Sequence, residues 1–211
     1  MKYIIMAGGT YPHFKTPKQL LEINGEKVIE RTIRLLKENE VEDIAISTTS
    51  DLFNDFGVPV LRHNNDYVYG NMGWRKAFYP MDEPVCYLWG DVVFSKEAIK
   101  TIVNTDTGDI QFFASAPPFT KDYIKPWAEP FALKVQNIGH FKSAFNKWAE
   151  YEDNNAFLRQ PSIIWEFWQV IKNTPLNKID YTNYCVINDY TCDIDEHEDI
   201  KKLERLVQKY D

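Results

Sequence analysis

Three clusters along this 211-residue chain combine residue types that handle anions and cations. The first is Ala7-Gly8-Gly9-Thr10, followed by Lys15-Thr16-Pro17-Lys18. Glycines after an apolar run let backbone N–H groups approach a phosphate, and a nearby lysine can neutralise its charge. The spacing is neither GxGxxG nor GxxxxGK[ST], which excludes a dinucleotide fingerprint and a P-loop. A plain strand-to-loop turn with solvated lysines is the competing reading. The second cluster is Tyr87-Leu88-Trp89-Gly90-Asp91-Val92-Val93. An aspartate just past a buried strand is well placed to hold Mg²⁺, which takes one or two carboxylates with phosphate oxygens and waters. Otherwise Asp91 accepts backbone hydrogen bonds in a turn. The third is Cys192-Asp193-Ile194-Asp195-Glu196-His197-Glu198. Asp195 and Glu198 have capping-box spacing, so Asp195 is expected as a helix N-cap. Asp193 and Asp195 share one side of an extended segment, and either can supply a second metal carboxylate.

Alternating strands and helices must position these clusters. Tyr3–Met6, Asp43–Thr48, Pro59–Leu61 and Val85–Trp89 read as short buried strands. A helix is expected over 28–37, a short one from Asn71 to Tyr79, and another capped by Ser95. This pattern predicts an α/β fold with a doubly wound, mostly parallel sheet, in which ligands lie beyond the carboxyl ends of the strands. Gly8-Gly9 and Gly90-Asp91 both fall at such ends. Further on, Ile110–Ala114 and Phe131–Val135 read as strands, helices are expected around 140–148 and 163–171, and a last helix carries Leu203, Leu206 and Val207. Residues 150–160 read as a loop.

Composition limits the partners. A net charge of −7 disfavours tracking a nucleic-acid backbone, so any phosphate binding must come from a few placed groups. Three separated cysteines and four histidines show neither zinc nor disulfide spacing. There is no apolar run of membrane-spanning length, and the chain is expected to be a cytoplasmic protein. Aromatics are abundant, with 13 Phe, 12 Tyr and 6 Trp against 9 Gly. Many lie between 104 and 187, where they suit an apolar core, a homodimer contact or an unusual ligand.

Taken in order, the clusters resemble the GT-A-like nucleotidyltransferase superfamily, which includes MobA-like, sugar-phosphate and phosphocholine nucleotidylyltransferases. AGGTYPHFKTPKQLLEINGEKVIERTIRLLKE is similar to the signature loop and its helix, LWGDVVFS to the metal-aspartate strand, and DIDEHEDIKKLE to the closing acidic motif. Gly70-Asn71-Met72-Gly73 resembles the loop that lines the base. The resemblance covers roughly 1–103 and 188–207. It implies a three-layer, Rossmann-like single domain with a nucleotide-binding core (1–103 and 188–211) and an inserted acceptor-binding lobe (104–187).

It also implies that Ala7, Gly8, Gly9 and Thr10 cradle the nucleotide, that Gly70, Asn71 and Gly73 border the base, and that Lys18 contacts phosphate. Asp91 and Asp195 would hold Mg²⁺. The loop departs from the family by carrying Tyr11-Pro12-His13-Phe14-Lys15 where an arginine is usual, and Lys15 is the expected substitute. The implied reaction moves an NMP from an NTP, with CTP favoured, to a phosphorylated sugar, polyol or amino alcohol. A phosphate monoester is already anionic near neutrality, so no general base is needed. Among Lys121, Lys125, Trp127 and Lys134, Lys134 is the leading acceptor contact because its strand could enter the cleft. The alternatives are a GT-A glycosyltransferase, whose usual D-x-D is absent, and a non-catalytic nucleotide-binding protein.

Overall fold

The computed structural model describes residues 1–9, 11–64, 72–116, 128–157 and 162–211, with only the backbone at 72–74. The first strand, β1 (Lys2–Met6), alternates its side chains between two cores: Tyr3 and Ile5 enter one, Ile4 and Met6 the other. It is therefore buried on both faces and must lie inside a layered sheet. After the loop come a hairpin of β2 (Glu22–Ile23) and β3 (Glu26–Lys27), then α1 (Val28–Glu38). The hairpin turns on Asn24-Gly25, both at positive φ, a two-residue signal that favours this turn.

Strands β4 (Ile44–Thr48), β5 (Val60–Arg62) and β6 (Val85–Trp89) follow, then the short β7 (Val92–Val93) and helix α2 (Lys96–Asn104). Ser95 caps α2, its Oγ accepting from the Ala98 amide at 2.9 Å. Next are β8 (Ile110–Ala114), β9 (Pro130–Val135), α3 (Ile138–Asp153) and α4 (Ile164–Lys172). The chain ends with β10 (Cys185–Val186), β11 (Cys192–Asp193) and α5 (His197–Tyr210). The seven-stranded sheet has the order β10-β8-β9-β6-β1-β4-β5. Within it, β9 alone runs against the others. The expected α/β, Rossmann-like, mostly parallel sheet is what the chain forms.

Helices α1, α2 and α5 contribute to the core on one face, while α3 and α4 contribute to the core on the other. The second core is where the aromatic excess goes. Trp148 stacks on Phe167 with ring centroids 4.4 Å apart, and Phe112 meets Trp165 edge-on at 4.9 Å. Among the described residues each buried indole N–H finds an acceptor: Ser162 Oγ for Trp148, the Ala128 carbonyl for Trp165 and the Thr182 carbonyl for Trp168. Among the described residues these rings pack in the core, one of the readings open for them. Helix α3 also extends through Asp153 into the expected 150–160 loop. Polar residues there continue the outward face of an amphipathic helix.

A buried clasp closes the first face. Arg31 donates from Nε to the Phe94 carbonyl at 2.9 Å and from Nη2 to the Tyr190 hydroxyl at 2.9 Å, and it pairs with Asp211. Lys96 donates to the Asp211 carbonyl. The clasp ties α1 and α5 to the segment leading into β11. Breaking a buried charge pair from one side leaves the other charge stranded, at about 3–5 kcal/mol. Arg31→Ala is expected to lose roughly 3 kcal/mol in urea unfolding. Arg34→Ala, which breaks more exposed pairs with Glu26 and Glu38, is expected to lose about 1 kcal/mol or less.

Candidate active site

β1, β4 and β6 are parallel, so their carboxyl ends form one edge of the sheet. Gly8 and Gly9 leave β1 there with φ of 118° and 79°, conformations that L side chains rarely adopt. A Cβ on Gly8 would lie 3.1 Å from Thr48 Oγ1, at the end of β4. The Ala7 side chain is buried beneath this turn, and its amide is already committed to the Ser47 carbonyl. Of the family-implied nucleotide cradle, Gly8 and Gly9 are therefore the residues whose turn opens at the edge. Thr10, Gly70 and Asn71 lie outside the described residues, as do Lys121, Lys125 and Trp127. Gly73 falls in a 3-10 turn, Met72–Ala77.

Gly90 follows β6 and packs against the last residue of β1. Its amide donates to the Met6 carbonyl at 3.0 Å, and a Cβ there would lie 2.2 Å from that same oxygen. This contact sets where Asp91 leaves the sheet. The two-residue ribbon of β7 and β11 then brings in the third cluster: Val92 faces Asp193, and the Ile194 amide donates to the Asp91 carbonyl. Asp195 is not the helix cap. Helix α5 begins at His197, and Asp199 Oδ2 accepts from the Asp195 and Glu196 amides, each at 2.9 Å. That capping carboxylate comes from inside the first turn, which leaves the Asp195 carboxylate directed at the cleft.

Lys18 is the centre of the arrangement. It lies in a 3-10 turn, Lys18–Leu20, with its side chain only 5% exposed. Its Nζ is 2.7 Å from Asp91 Oδ2 and 3.6 Å from Asp195 Oδ1. The Tyr11 ring centroid is 3.9 Å from the ammonium. Burial alone would pull the lysine pKa down, but Asp91, Asp193 and Tyr11 more than offset it and hold it above the ordinary value. The Tyr11 phenol is pushed up chiefly by burial, with Asp195 and Asp91 adding to the shift against Lys18. The loop is pinned to α5: Phe14 packs edge-on against His197, whose Nε2 lies 3.0 Å from the His13 carbonyl. Lys15, in the same loop, is exposed and pairs with no carboxylate among the described residues.

Two contributors were not anticipated. Glu129 is buried immediately before β9, and an oxygen of Glu129, Asp193 and Asp195 can each be chosen so that all three lie within 4.8 Å of one another. A purely carboxylate set suits a hard divalent cation such as Mg²⁺ or Ca²⁺. The antiparallel direction of β9, which brings its first residues to the carboxyl end of β6, was the missing information. Gln19, beside Lys18, is buried with Oε1 unpaired among the described residues, next to Gly90.

The same strand direction corrects the role expected for Lys134. It lies five residues beyond Glu129, roughly 16 Å along a strand, and pairs with Cys86 near the start of β6. Its ammonium donates to the carbonyls of Ile102, Val103 and Thr105, at 3.1, 2.9 and 2.7 Å. It closes the carboxyl end of α2, where a cation is favoured by the helix dipole, and its ammonium is turned to these carbonyls and not to the carboxyl edge of the sheet.

A family model described as a MobA-like NTP transferase domain matches residues 3–118. The fold is shared with solved structures at low identity. A protein assigned as a glucose-1-phosphate thymidylyltransferase from Bacillus anthracis is 16% identical, with a TM-score of 0.63 over 100% of this chain and 96% of that one. The inositol-1-phosphate CTP transferase from T. maritima is 15% identical, with a TM-score of 0.62 over 99% and 95%. The 4-diphosphocytidyl-2C-methyl-D-erythritol synthase from Anaerococcus prevotii is 16% identical, with a TM-score of 0.61 over 98% and 97%.

Two substitutions separate the site from its supports. Gly90→Ala is expected to cost about 1–3 kcal/mol in chemical unfolding, the scale of overpacking against immovable backbone. Lys134→Met is expected to lower the unfolding midpoint by loss of its three carbonyl bonds, about 1–3 kcal/mol, with nucleotide affinity unchanged by calorimetry.

Proposed function

The chain belongs to the MobA-like NTP transferase domain family and is a nucleotidyltransferase, and from that premise we propose that it transfers an NMP from an NTP to a small phosphorylated acceptor. Pyrophosphate is the second product. The observation that carries this reading is the Lys18 ammonium held between Asp91 and Asp195 at the carboxyl edge of the sheet. One cation set among carboxylates, beside a glycine turn, is suited to a polyphosphate that arrives with a divalent metal. The acceptor class is a phosphorylated sugar, polyol or amino alcohol. CTP is the donor to test first, since two of the structurally similar proteins bear names involving CTP or a cytidyl product.

Asp91 and Asp195 would hold Mg²⁺, and Asp195 is also grouped with Asp193 and Glu129. When bound, Mg²⁺ neutralises charge on the reacting phosphates and the leaving pyrophosphate. An acceptor phosphate oxygen attacks the α-phosphorus; that P–O bond forms as the bond to the β-phosphate oxygen breaks. The attacking monoester has a second pKa of about 6 and is largely anionic at neutral pH, so no side chain need take a proton from it. Gly8 and Gly9 offer backbone approach to the phosphates, and Lys18 supplies positive charge. Catalysis is then alignment plus charge neutralisation. The residues between 104 and 187 that border the carboxylate edge, beginning with Glu129, form the acceptor side of the cleft in this proposal.

Screening the four NTPs with Mg²⁺ by thermal shift is expected to single out one nucleotide, because a ligand at 100 times its Kd stabilises by about 2.7 kcal/mol. With that nucleotide and a panel of phosphorylated acceptors, Asp91→Asn and Lys18→Ala are each expected to lower pyrophosphate release by about 10²-fold or more, with unchanged far-UV circular dichroism. Near-normal rates in both variants would overturn the proposal.

A further inference from the structure

The carboxylate pair that the proposed function gives to a divalent cation already has a cation against it. Lys18 Nζ lies 2.7 Å from Asp91 Oδ2 and 3.6 Å from Asp195 Oδ1. The Tyr11 ring contacts the same ammonium at 3.9 Å. The lysine is nearly inaccessible, whereas Asp91 and Asp195 keep 21% and 29% of their side-chain surface exposed. A cation arriving from solvent therefore meets the carboxylates first and the ammonium behind them. A metal bridging the pair while Lys18 kept its 2.7 Å contact would place two positive centres side by side in a poorly solvated site.

We infer that Lys18 is the resident counter-ion of the ligand-free protein, that a divalent cation enters the Asp91–Asp195 pair by exchange with its ammonium, and that Tyr11 is the positioning residue that sets the resting place of that ammonium. The inference rests on the reading of Asp91 and Asp195 as the cation carboxylates.

The exchange has a consequence for the order of binding. A buried ammonium cannot be left without an anion. Metal alone would take the Asp91 and Asp195 carboxylates from Lys18 and leave it with Asp193 as its carboxylate neighbour, so metal alone binds weakly. A phosphate group entering beside the glycine turn gives the displaced ammonium a new partner, so nucleotide and metal favour each other. That coupling is reciprocal by thermodynamic necessity. The same lysine is then held off the phosphate-binding position until the cation is present. No covalent bond changes and no proton moves: one charged group leaves a carboxylate pair as another takes it. The Tyr11 ring face attracts the resident ammonium.

The test is a titration of the full chain with Mn²⁺ alone, free metal being followed by electron paramagnetic resonance, for wild type, Lys18→Met, Tyr11→Leu and the Asp91→Asn/Lys18→Met double variant. Lys18→Met is expected to bind Mn²⁺ at least tenfold more tightly than wild type. Tyr11→Leu, which keeps the lysine, should gain severalfold, and the double variant should lose the gain. Should Lys18→Met fail to fold, as judged by near-UV circular dichroism, Tyr11→Leu decides: equal Mn²⁺ affinity to wild type overturns the exchange. Equal affinities for wild type and a folded Lys18→Met variant overturn it as well. Pyrophosphate release is scored separately. A wild type that releases none, with a Lys18→Met variant that gains Mn²⁺ affinity, upholds the exchange and overturns the transferase reading. Release without any gain overturns the exchange alone.

Discussion

An ammonium buried to 5% exposure survives in a protein only where opposite charges surround it, and for Lys18 those charges come from distant parts of the chain. Asp91 follows β6, Asp195 precedes α5, and Lys18 itself lies between β1 and α1. Much of the architecture can be understood as what brings these points to one place. Parallel β1 and β6 put their carboxyl ends side by side, and the Gly90 contact with the Met6 carbonyl sets their spacing. The β7–β11 ribbon then carries the acidic segment across to Asp91. That ribbon has only two residues in each strand, so it needs support from outside. The Arg31 clasp supplies it by anchoring Tyr190 and Asp211 on either side of the acidic segment.

The two faces of the sheet divide the work differently. The face carrying α1, α2 and α5 is packed mainly with aliphatic side chains, and its helices enter or leave next to the charged cluster. The other face is an aromatic layer in which Phe78, Phe141, Trp148 and Phe167 interlock and Phe112 packs against Trp165 and Trp168. Aromatic rings bury much area per residue and hold definite geometry. That layer backs β8 and β9 and so bears on the position of Glu129. Among the described residues, many of the rings whose place the sequence left open pack in the core on the α3 and α4 face of the sheet.

Local signals were legible where local physics decides. The apolar runs at Tyr3–Met6, Ile44–Thr48 and Val85–Trp89 have few alternatives to buried strands, and the Ser95 cap and the amphipathic stretch from Val28 follow from side-chain chemistry within a few residues. The cap of α5 was misread because two acidic residues competed for it. Asp199 reaching back from the first turn accepts from the Asp195 and Glu196 amides, the reciprocal bond that Glu198 was expected to make to the Asp195 amide. Lys134 and Glu129 were out of reach for a different reason. Which end of a strand meets the cleft depends on its direction in the sheet, and period-two patterning is the same in both directions.

By itself the sequence determined the α/β class, the glycine turn after β1, and the acidic residues placed just beyond apolar strands. These depend on side-chain type, short-range backbone freedom and hydrophobic periodicity, all written in consecutive residues. Only the tertiary structure decided which charges meet. It put Lys18 against Asp91 and Asp195, brought in Glu129 from a strand whose direction no local pattern reveals, and sent Lys134 to the end of α2. Charge pairing acts through space over a few ångströms, and the separations along the chain that it bridges here run to well over a hundred residues. The sheet order, not the residue order, sets those distances.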